Sequence, residues 1–302
     1  MSDTLPGSSL AEFMARRGRN VVESDGVLWH SVSCRFYMSI PYEKMLDPDP
    51  EELGRMIRAR GLGARFPSLA WPGLAAGAYF CRLKNYGIHS VHAKHRPRVS
   101  RGLQRFQMRR VEPDELLAQG LDLNLDTMRR QQRFEPEFGD PKKWRRFVEA
   151  LRHSPSIVPF GAFRDGRLAA YMITSREDRN VHILHQMSRQ SDLPDFPNHA
   201  LTFWVTSEFL NELQIESVCY GFTSLINIAG LHEYKLRFGY EVDPFYSAFL
   251  LHPLLQRTLA SSRVRTLLHR VRMLRPADQR LERMESVLEG ARLSCPGVLA
   301  TP

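Results

Sequence analysis

Two apolar runs flank a polar turn in the middle of the chain. Residues 157–163 and 168–173 are almost entirely apolar, and Asp165-Gly166 lies between them. This dipeptide is typical of a tight β-hairpin, because both central residues of a type I′ turn need a positive φ. The pattern therefore predicts two antiparallel strands that are joined at Asp165-Gly166.

Strand and helix patterns alternate after this hairpin as far as residue 250. Apolar spacing of three and four residues predicts a helix that begins near Asn198, whose side chain is a suitable N-cap. A short helix is predicted around Tyr234. The remaining predicted strands are 181–187, 215–220 and 246–250. The order β-hairpin, β, α, β, α, β predicts an α/β fold with a mixed β-sheet flanked by helices.

The N-terminal third predicts its own set of strands and helices. Residues 21–29 contain a second Asp-Gly hairpin turn, and residues 51–60 form a short predicted helix that Gly61 ends. Residues 1–20 are polar and contain glycine and serine, which favours a flexible terminus. We therefore expect a flexible N-terminus followed by an α+β subdomain at residues 21–105.

An arginine-rich amphipathic pattern follows Pro253. Such a helix either packs against its own core or lies on an anionic membrane surface or a partner. We expect residues 254–302 to form a basic helical extension, with peripheral membrane contact through residues 254–275 as the alternative to packing. The apolar positions at helical spacing are Val264, Leu267, Leu268, Val271 and Leu274.

Charge and cysteine usage limit the class of protein. The chain of 302 residues has a net charge of +9 and a pI near 9.6, which favours polyanionic partners. It has no run of 18 apolar residues and no secretion-signal pattern, so we expect a cytoplasmic protein without a transmembrane segment. The four cysteines are scattered without CxxC spacing, which fits a reducing compartment and predicts no metal site.

Basic residues recur at helical spacing between residues 88 and 110. Lys94, Arg98, Arg101 and Arg105 are separated by four, three and four positions, so a helix would place them on one face. This face is either simply solvated or contacts phosphate groups, which guanidinium side chains bind with paired hydrogen bonds. The phosphate-binding candidates are Arg98, Arg101 and Arg105.

A short motif surrounds residue 235. Its residues are Gly230, Leu231, Tyr234, Lys235, Phe238 and Gly239. The motif resembles the FemAB-like branch of the GNAT-type acyltransferase superfamily, in which a glycine and a leucine precede a Tyr/Phe-Lys pair and Phe-Gly ends the helix. The resemblance implies a GNAT-like domain at residues 106–253 with N-acyltransferase activity. The implied reaction moves an acyl group from acyl-CoA or an acylated carrier to a small amine or a peptide.

The loop before the central helix departs from the family pattern. GNAT enzymes that use acyl-CoA have a glycine-containing loop there whose amides hold the pyrophosphate, whereas residues 189–198 contain no glycine and carry two aspartates. Some FemAB-like proteins take an aminoacyl group from tRNA instead, and a non-catalytic binding protein is a third hypothesis. The expected cofactor-binding residues are Arg189, Gln190, Asn198, His199 and Lys235.

The candidate catalytic residues flank the predicted central strands. Strict alternation along 181–187 places His185 on one face with Val181 and Ile183, and a histidine there is a plausible proton acceptor. The resemblance implies a tyrosine that donates a proton to the leaving group, with Tyr220 and Tyr234 as candidates and His232 as a third. Each of these side chains also fits a purely structural role.

Overall fold

A computed structural model describes residues 7–33, 35–132, 135–223, 230–259, 262–274 and 279–294. The chain forms two compact units. Unit 1 comprises residues 1–78, 222–228 and 243–302, and unit 2 comprises residues 79–221 and 229–242.

The described residues contain the strands β1 Val21–Ser24, β2 Val27–Ser33, β3 Phe36–Ile40, β4 Gly63–Ser68, β5 Leu74–Cys81, β6 Gln107–Arg110, β7 Ile157–Arg164, β8 Arg167–Glu177, β9 Asn180–Ser188, β10 Ser217–Phe222 and β11 Glu241–Leu251. The α-helices are α1 Ser8–Arg16, α2 Pro50–Arg60, α3 Arg96–Arg105, α4 Pro113–Arg130, α5 Pro136–Gly139, α6 Pro141–Arg152, α7 Pro197–Leu210, α8 Leu231–Leu236, α9 Pro253–Leu259, α10 Ser262–Leu274 and α11 Gln279–Ser294.

Unit 2 has a mixed sheet with the strand order β10-β9-β8-β7-β6. Neighbouring strands are antiparallel except for β9 and β10, which are parallel. The predicted hairpin of β7 and β8 is confirmed, with positive φ angles of 51° at Asp165 and 74° at Gly166. The predicted adjacency of the strands near 181–187 and 215–220 is also confirmed, and with it the mixed α/β sheet.

Helices cover both faces of this sheet. One face is covered by α7, which packs on β7, β8 and β9, while α3 packs on α7. Leu201, Val205 and Phe209 of α7 join the apolar core on this face. The other face carries α4, α5 and α6, with Trp144 stacked on Phe147 at 5.2 Å between ring centroids.

Unit 1 contains strands in the order β1-β2-β3-β4-β11. Trp29, Phe66 and Ile57 belong to a core in which α2 packs against this sheet. Asp49 caps α2 by accepting hydrogen bonds from two amides of its first turn. A second apolar cluster in unit 1 joins β11 to α11.

Two predicted features of the backbone are wrong. The N-terminus is not a loose segment, because α1 buries Leu10, Phe13 and Met14 at helical spacing. Asn198 is not the N-cap of α7, since the helix begins one residue earlier with proline at its first position.

Gly102 sets the separation between α3 and α7. An added Cβ would lie 2.7 Å from the Ala200 Cβ and 2.7 Å from the carbonyl oxygen of Phe196. We expect Gly102→Ala to lower the free energy of unfolding by about 1–3 kcal/mol, because the two helices must move apart. Urea unfolding followed by circular dichroism measures this change.

Gly54 in α2 provides the matched control for this substitution. Its added Cβ would meet only the end of the flexible Arg58 side chain. Gly54→Ala should therefore leave stability unchanged or raise it by about 0.5–1 kcal/mol, because alanine loses less backbone entropy in a helix. Equal effects at the two positions would contradict the close approach of α3 and α7.

Candidate active site

A gap opens between the parallel strands β9 and β10. Their pairing joins residues 180–182 to residues 217–219, and both strands continue beyond that point. Splayed parallel strands leave backbone groups and side chains accessible at the position where the pairing ends. Tyr220 follows the last paired residue of β10, and Gln186 lies further along β9.

A bulge in β9 decides which of its side chains face α7. Ile183 pairs with Thr174 and His185 pairs with Ile173, so Leu184 is an extra residue in β9. An extra residue reverses the alternation of side chains beyond it. Val181, Ile183 and Gln186 therefore all face α7.

His185 lies on the opposite face of the sheet. Its ring centroid is 4.3 Å from that of Phe138 and 6.1 Å from that of Phe147, which belong to α5 and α6. The face predicted for His185 from strict alternation is therefore wrong. Its role as proton acceptor stays a prediction that now lacks this geometric support.

Gln186 is the centre of a polar network on the α7 face. Its amide nitrogen lies 3.3 Å from Thr202 Oγ1 and 3.3 Å from Asn198 Oδ1, and its amide oxygen accepts a hydrogen bond from the Tyr220 hydroxyl. The Tyr234 hydroxyl donates to Thr202 Oγ1 at 2.9 Å and lies 3.0 Å from the Asn198 carbonyl oxygen. The structure thus brings together the two candidate tyrosines, which are 14 positions apart in the sequence.

Both tyrosine hydroxyls keep their protons at neutral pH. Burial raises the pKa of Tyr220 to about 12, and burial together with the neighbouring Tyr220 raises the pKa of Tyr234 well above its usual range. A protonated phenol can donate a hydrogen bond but is a poor base near pH 7. The network therefore consists of protonated hydroxyls that are held by internal acceptors beside the gap.

Lys235 holds Tyr220 in position through a hydrogen bond to its backbone. Its side chain is only 4% exposed, and its ammonium donates to the Tyr220 carbonyl oxygen at 2.6 Å. The ammonium also lies 4.0 Å from the centroid of the Tyr79 ring and 4.9 Å from that of Tyr220. Burial lowers the pKa of Lys235 to about 8. A cofactor-binding role for Lys235 stays untested, and its contacts indicate a positioning role.

His232 lies outside the tyrosine network. It is exposed, and its Nδ1 is 2.8 Å from the Tyr79 hydroxyl. His199 packs beside the network instead, with its ring stacked on His95 at 5.0 Å and edge-on to Tyr234 at 5.2 Å. Burial lowers the pKa of His199 to about 4, so this side chain is neutral near pH 7.

The loop between β9 and α7 is held by ion pairs. Asp192 is buried and binds Arg164 and Arg167, while Asp195 binds Arg164 at 2.7 Å and Arg101 at 2.8 Å. Hydrogen bonds from Arg164 and Arg101 lower the pKa of Asp195. The two aspartates that depart from the family pattern therefore stabilise this loop.

Several donors of this loop are already engaged within the protein. The backbone N–H of Gln190 donates to Asp126 Oδ2 at 2.7 Å, and the backbone N–H groups of His199 and Ala200 donate to the Phe196 carbonyl oxygen. The Arg189 side chain donates to the Leu168 carbonyl oxygen at 3.0 Å. These internal bonds leave fewer loop donors for a pyrophosphate than a glycine-rich loop would provide.

The basic face of α3 forms as predicted, except at one position. Arg98, Arg101 and Arg105 are exposed on α3, whereas Lys94 precedes the helix. Arg98 and Arg101 lie over the Phe196 ring at 5.5 and 5.9 Å, and Arg101 also binds Asp195. Phosphate binding by this face stays a prediction.

The sequence did not single out Gln186 and Thr202 as members of the site. Gln186 is one of three polar residues between Val181 and Met187, with His182 and His185, so its polarity could have marked it only as one candidate among three. Thr202 follows an apolar residue in α7 and has no such signal.

Comparison with solved structures finds the same fold at low sequence identity. FemX superposes with a TM-score of 0.58 and 13% identity, covering 85% of this chain and 94% of that chain. L-PGS from Bacillus licheniformis gives a TM-score of 0.56 and 10% identity, and the match covers 97% of this chain and 100% of that chain. The C-terminal DUF2156 domain of a putative lysylphosphatidylglycerol synthetase from Agrobacterium fabrum gives a TM-score of 0.55 and 16% identity. That match covers 84% of this chain and 90% of that chain.

These structures confirm the GNAT-type, FemAB-like fold that the sequence motif predicted. No protein-family model matches the sequence, and no curated protein matches it either. The chain therefore shares the fold of FemX and L-PGS, and identities of 10–16% carry the likeness no further than the fold.

The lowered pKa of Lys235 predicts a pH dependence of stability. Between about pH 8 and pH 10.5 the unfolded chain holds the lysine proton and the folded chain does not, so Lys235 contributes a rise in stability with pH in this window. The full rise is about 3 kcal/mol, from 1.36 kcal/mol per unit of pKa. In Lys235→Met this rise should be absent. Urea unfolding from pH 7 to pH 10.5 measures it.

Lys84 is the control for this measurement. It is an exposed lysine whose ammonium also reaches a backbone carbonyl oxygen, that of Ile215, at 3.4 Å. Lys84→Met should keep the parent's pH profile. If Lys235→Met also keeps the parent's pH profile of stability, burial does not lower the pKa of Lys235.

Proposed function

We propose that this chain is an aminoacyltransferase that moves an aminoacyl group from a charged tRNA to an amine. The observation that carries the proposal is the hydrogen-bonded set of Tyr220, Gln186, Thr202 and Tyr234 beside the gap between β9 and β10. Its protonated hydroxyls suit a reaction in which negative charge develops on oxygen.

The proposed reaction exchanges an ester for an amide. The acceptor nitrogen attacks the ester carbonyl carbon, a carbon–nitrogen bond forms, and the bond from that carbon to the ribose oxygen breaks. The nitrogen loses a proton and the departing ribose oxygen gains one. In this proposal the Tyr220 hydroxyl, whose proton is retained at neutral pH, turns from the Gln186 amide oxygen and gives its single proton to the departing oxygen.

Gln186 and Tyr234 act as positioning residues in this scheme. The Gln186 amide oxygen holds the Tyr220 hydroxyl, and Thr202 links Gln186 to Tyr234. Lys235 fixes the backbone of Tyr220 by donating a hydrogen bond to its carbonyl oxygen. Preorganised groups of this kind add little reorganisation cost at the moment of reaction. His185 takes no part in the proposed reaction, because it lies on the other face of the sheet.

The charge of the protein and the loop before α7 favour tRNA over acyl-CoA as the donor. Arg98 and Arg105 are exposed on α3, and the chain has a net charge of +9, which suits a nucleic-acid backbone. Acyl-CoA, the donor that the family resemblance implies, has weaker support, because several loop donors already bind protein groups. The acceptor is proposed only as an amine.

Tyr220→Phe tests the proposed proton donor. We expect turnover of a verified substrate to fall by about 10²–10⁴-fold, the usual effect of losing an acid or base, while donor affinity stays near the parent value. Tyr234→Phe should have a smaller effect, because the hydroxyl acts through Thr202. Single-turnover kinetics with purified charged tRNA measure the chemical step directly.

His185→Ala serves as the control for this experiment, since the His185 ring is half-buried on the opposite face. It should retain the parent rate. A large loss in His185→Ala with none in Tyr220→Phe would contradict the proposed assignment and favour the histidine.

The basic face of α3 is tested by salt dependence. Replacing both Arg98 and Arg105 with Gln should weaken tRNA binding and flatten its dependence on salt by roughly one slope unit for each lost phosphate contact. Arg179→Gln is the control, because Arg179 is an exposed arginine of unit 2 that pairs with Glu216 instead. Filter binding over a salt series gives both slopes.

The donor itself is identified by thermal shift. A ligand that binds only the folded state raises the unfolding midpoint by mass action. We expect stabilisation by charged tRNA and a smaller or absent shift with CoA or acyl-CoA. A shift with acyl-CoA alone would replace the tRNA donor, and no shift with any donor would favour the non-catalytic hypothesis.

A further inference from the structure

Among its described side chains, helix α10 in unit 1 packs through one side. Leu268 packs against a cluster that contains Phe249 and Leu251 of β11 and Leu288 and Ala291 of α11. Val264 and Val271 are also partly buried. Three of the five apolar positions at helical spacing, Val264, Leu268 and Val271, thus lie on the packed side of α10.

A carboxylate of α11 contacts α10 at two positions. Glu285 of α11 lies 2.8 Å from His269 Nδ1 through one carboxylate oxygen and 2.7 Å from Arg272 Nε through the other. Because one carboxylate contacts two positions three residues apart on α10, these contacts favour the observed rotation of the helix. The outward side is therefore a defined feature of the fold.

The outward side carries leucines together with an arginine. Leu267 is 63% exposed and Leu274 is 83% exposed, and seven residues of separation place them on one face of the helix. Arg270 is exposed between them along the helix. Large apolar side chains on one exposed helical face mark a site for contact with an apolar surface.

The charge around these leucines points to an anionic partner. Residues 253–274 contain five arginines and neither aspartate nor glutamate. Two copies of this segment would repel each other, which disfavours self-association through the outward side. A basic helix with exposed leucines matches the composition of helices that lie in the headgroup region of anionic bilayers. No helix of the described residues is both long and apolar enough to cross a membrane.

We propose that the outward side of α10 docks unit 1 on an anionic lipid bilayer. Leu267 and Leu274 enter the headgroup region, where they leave water, and Arg270 contacts lipid phosphate groups. The docking is peripheral and depends on both the leucines and the negative surface charge. It is independent of the chemistry proposed for the site in unit 2.

Sedimentation with lipid vesicles tests this docking. The parent protein should sediment with vesicles of equimolar phosphatidylglycerol and phosphatidylcholine and remain in the supernatant with phosphatidylcholine alone. The double variant Leu267→Gln with Leu274→Gln should lose at least about tenfold in the partition coefficient, since each leucine no longer transfers a full apolar side chain. Arg270→Gln should weaken binding less and reduce its sensitivity to salt.

Leu213 provides the matched control. It is 98% exposed and lies between α7 and β10 in unit 2, away from α10 in sequence. Leu213→Gln should sediment with anionic vesicles as the parent does. Circular dichroism confirms the fold of each variant, and charged-tRNA binding should be unchanged in the double variant, so that a failure of the proposed function is distinguishable from a failure of docking.

Two results would overturn the docking proposal. One is equal sedimentation of the parent and the double variant with anionic vesicles, which would show that other residues bind lipid. The other is sedimentation velocity without lipid in which the parent is a dimer and the double variant a monomer. That result would assign the outward side of α10 to a second copy of the chain.

Discussion

One extra residue in β9 determines the composition of the candidate site. Leu184 reverses the alternation of side chains, so Gln186 reaches α7 and Tyr220, whereas His185 packs against the aromatic rings of α5 and α6. Without the bulge, a histidine would face α7 where an amide does now. The site consequently contains oriented hydrogen-bond donors and acceptors, and its ionisable groups are phenols that retain their protons.

The partly buried hydroxyls of the site depend on the acceptors of the polar network. The hydroxyls of Tyr220 and Tyr234 are partly withdrawn from water, and each hydroxyl has a hydrogen-bond acceptor within the protein. A buried hydroxyl without such a partner would destabilise the fold, so the acceptors Gln186 and Thr202 are structural requirements as well as parts of the site. The buried Lys235 meets the same requirement through a carbonyl oxygen and two aromatic rings.

The loop before α7 uses charge where the related family pattern uses glycine. Asp192 and Asp195 bring Arg101, Arg164 and Arg167 together around the loop, and the arginines of α3 border it through the ring of Phe196. This arrangement fixes the loop by ion pairs and leaves a basic helix surface beside it. This surface is the basis on which a polyanionic donor is proposed.

The sequence by itself determined the elements that depend on local chemistry. Turn residues with positive φ located both Asp-Gly hairpins, apolar spacing located α7, and the motif around Tyr234 indicated the fold that the solved structures confirm. Only the tertiary structure decided which face His185 occupies, because a bulge depends on pairing with β8 and leaves no local signal. It also decided that Lys235 lies beneath Tyr220 and that Asp195 binds Arg101, since these partners are distant in the chain. Local patterns determine the secondary structure, whereas contacts between distant residues select the side chains that meet at the site.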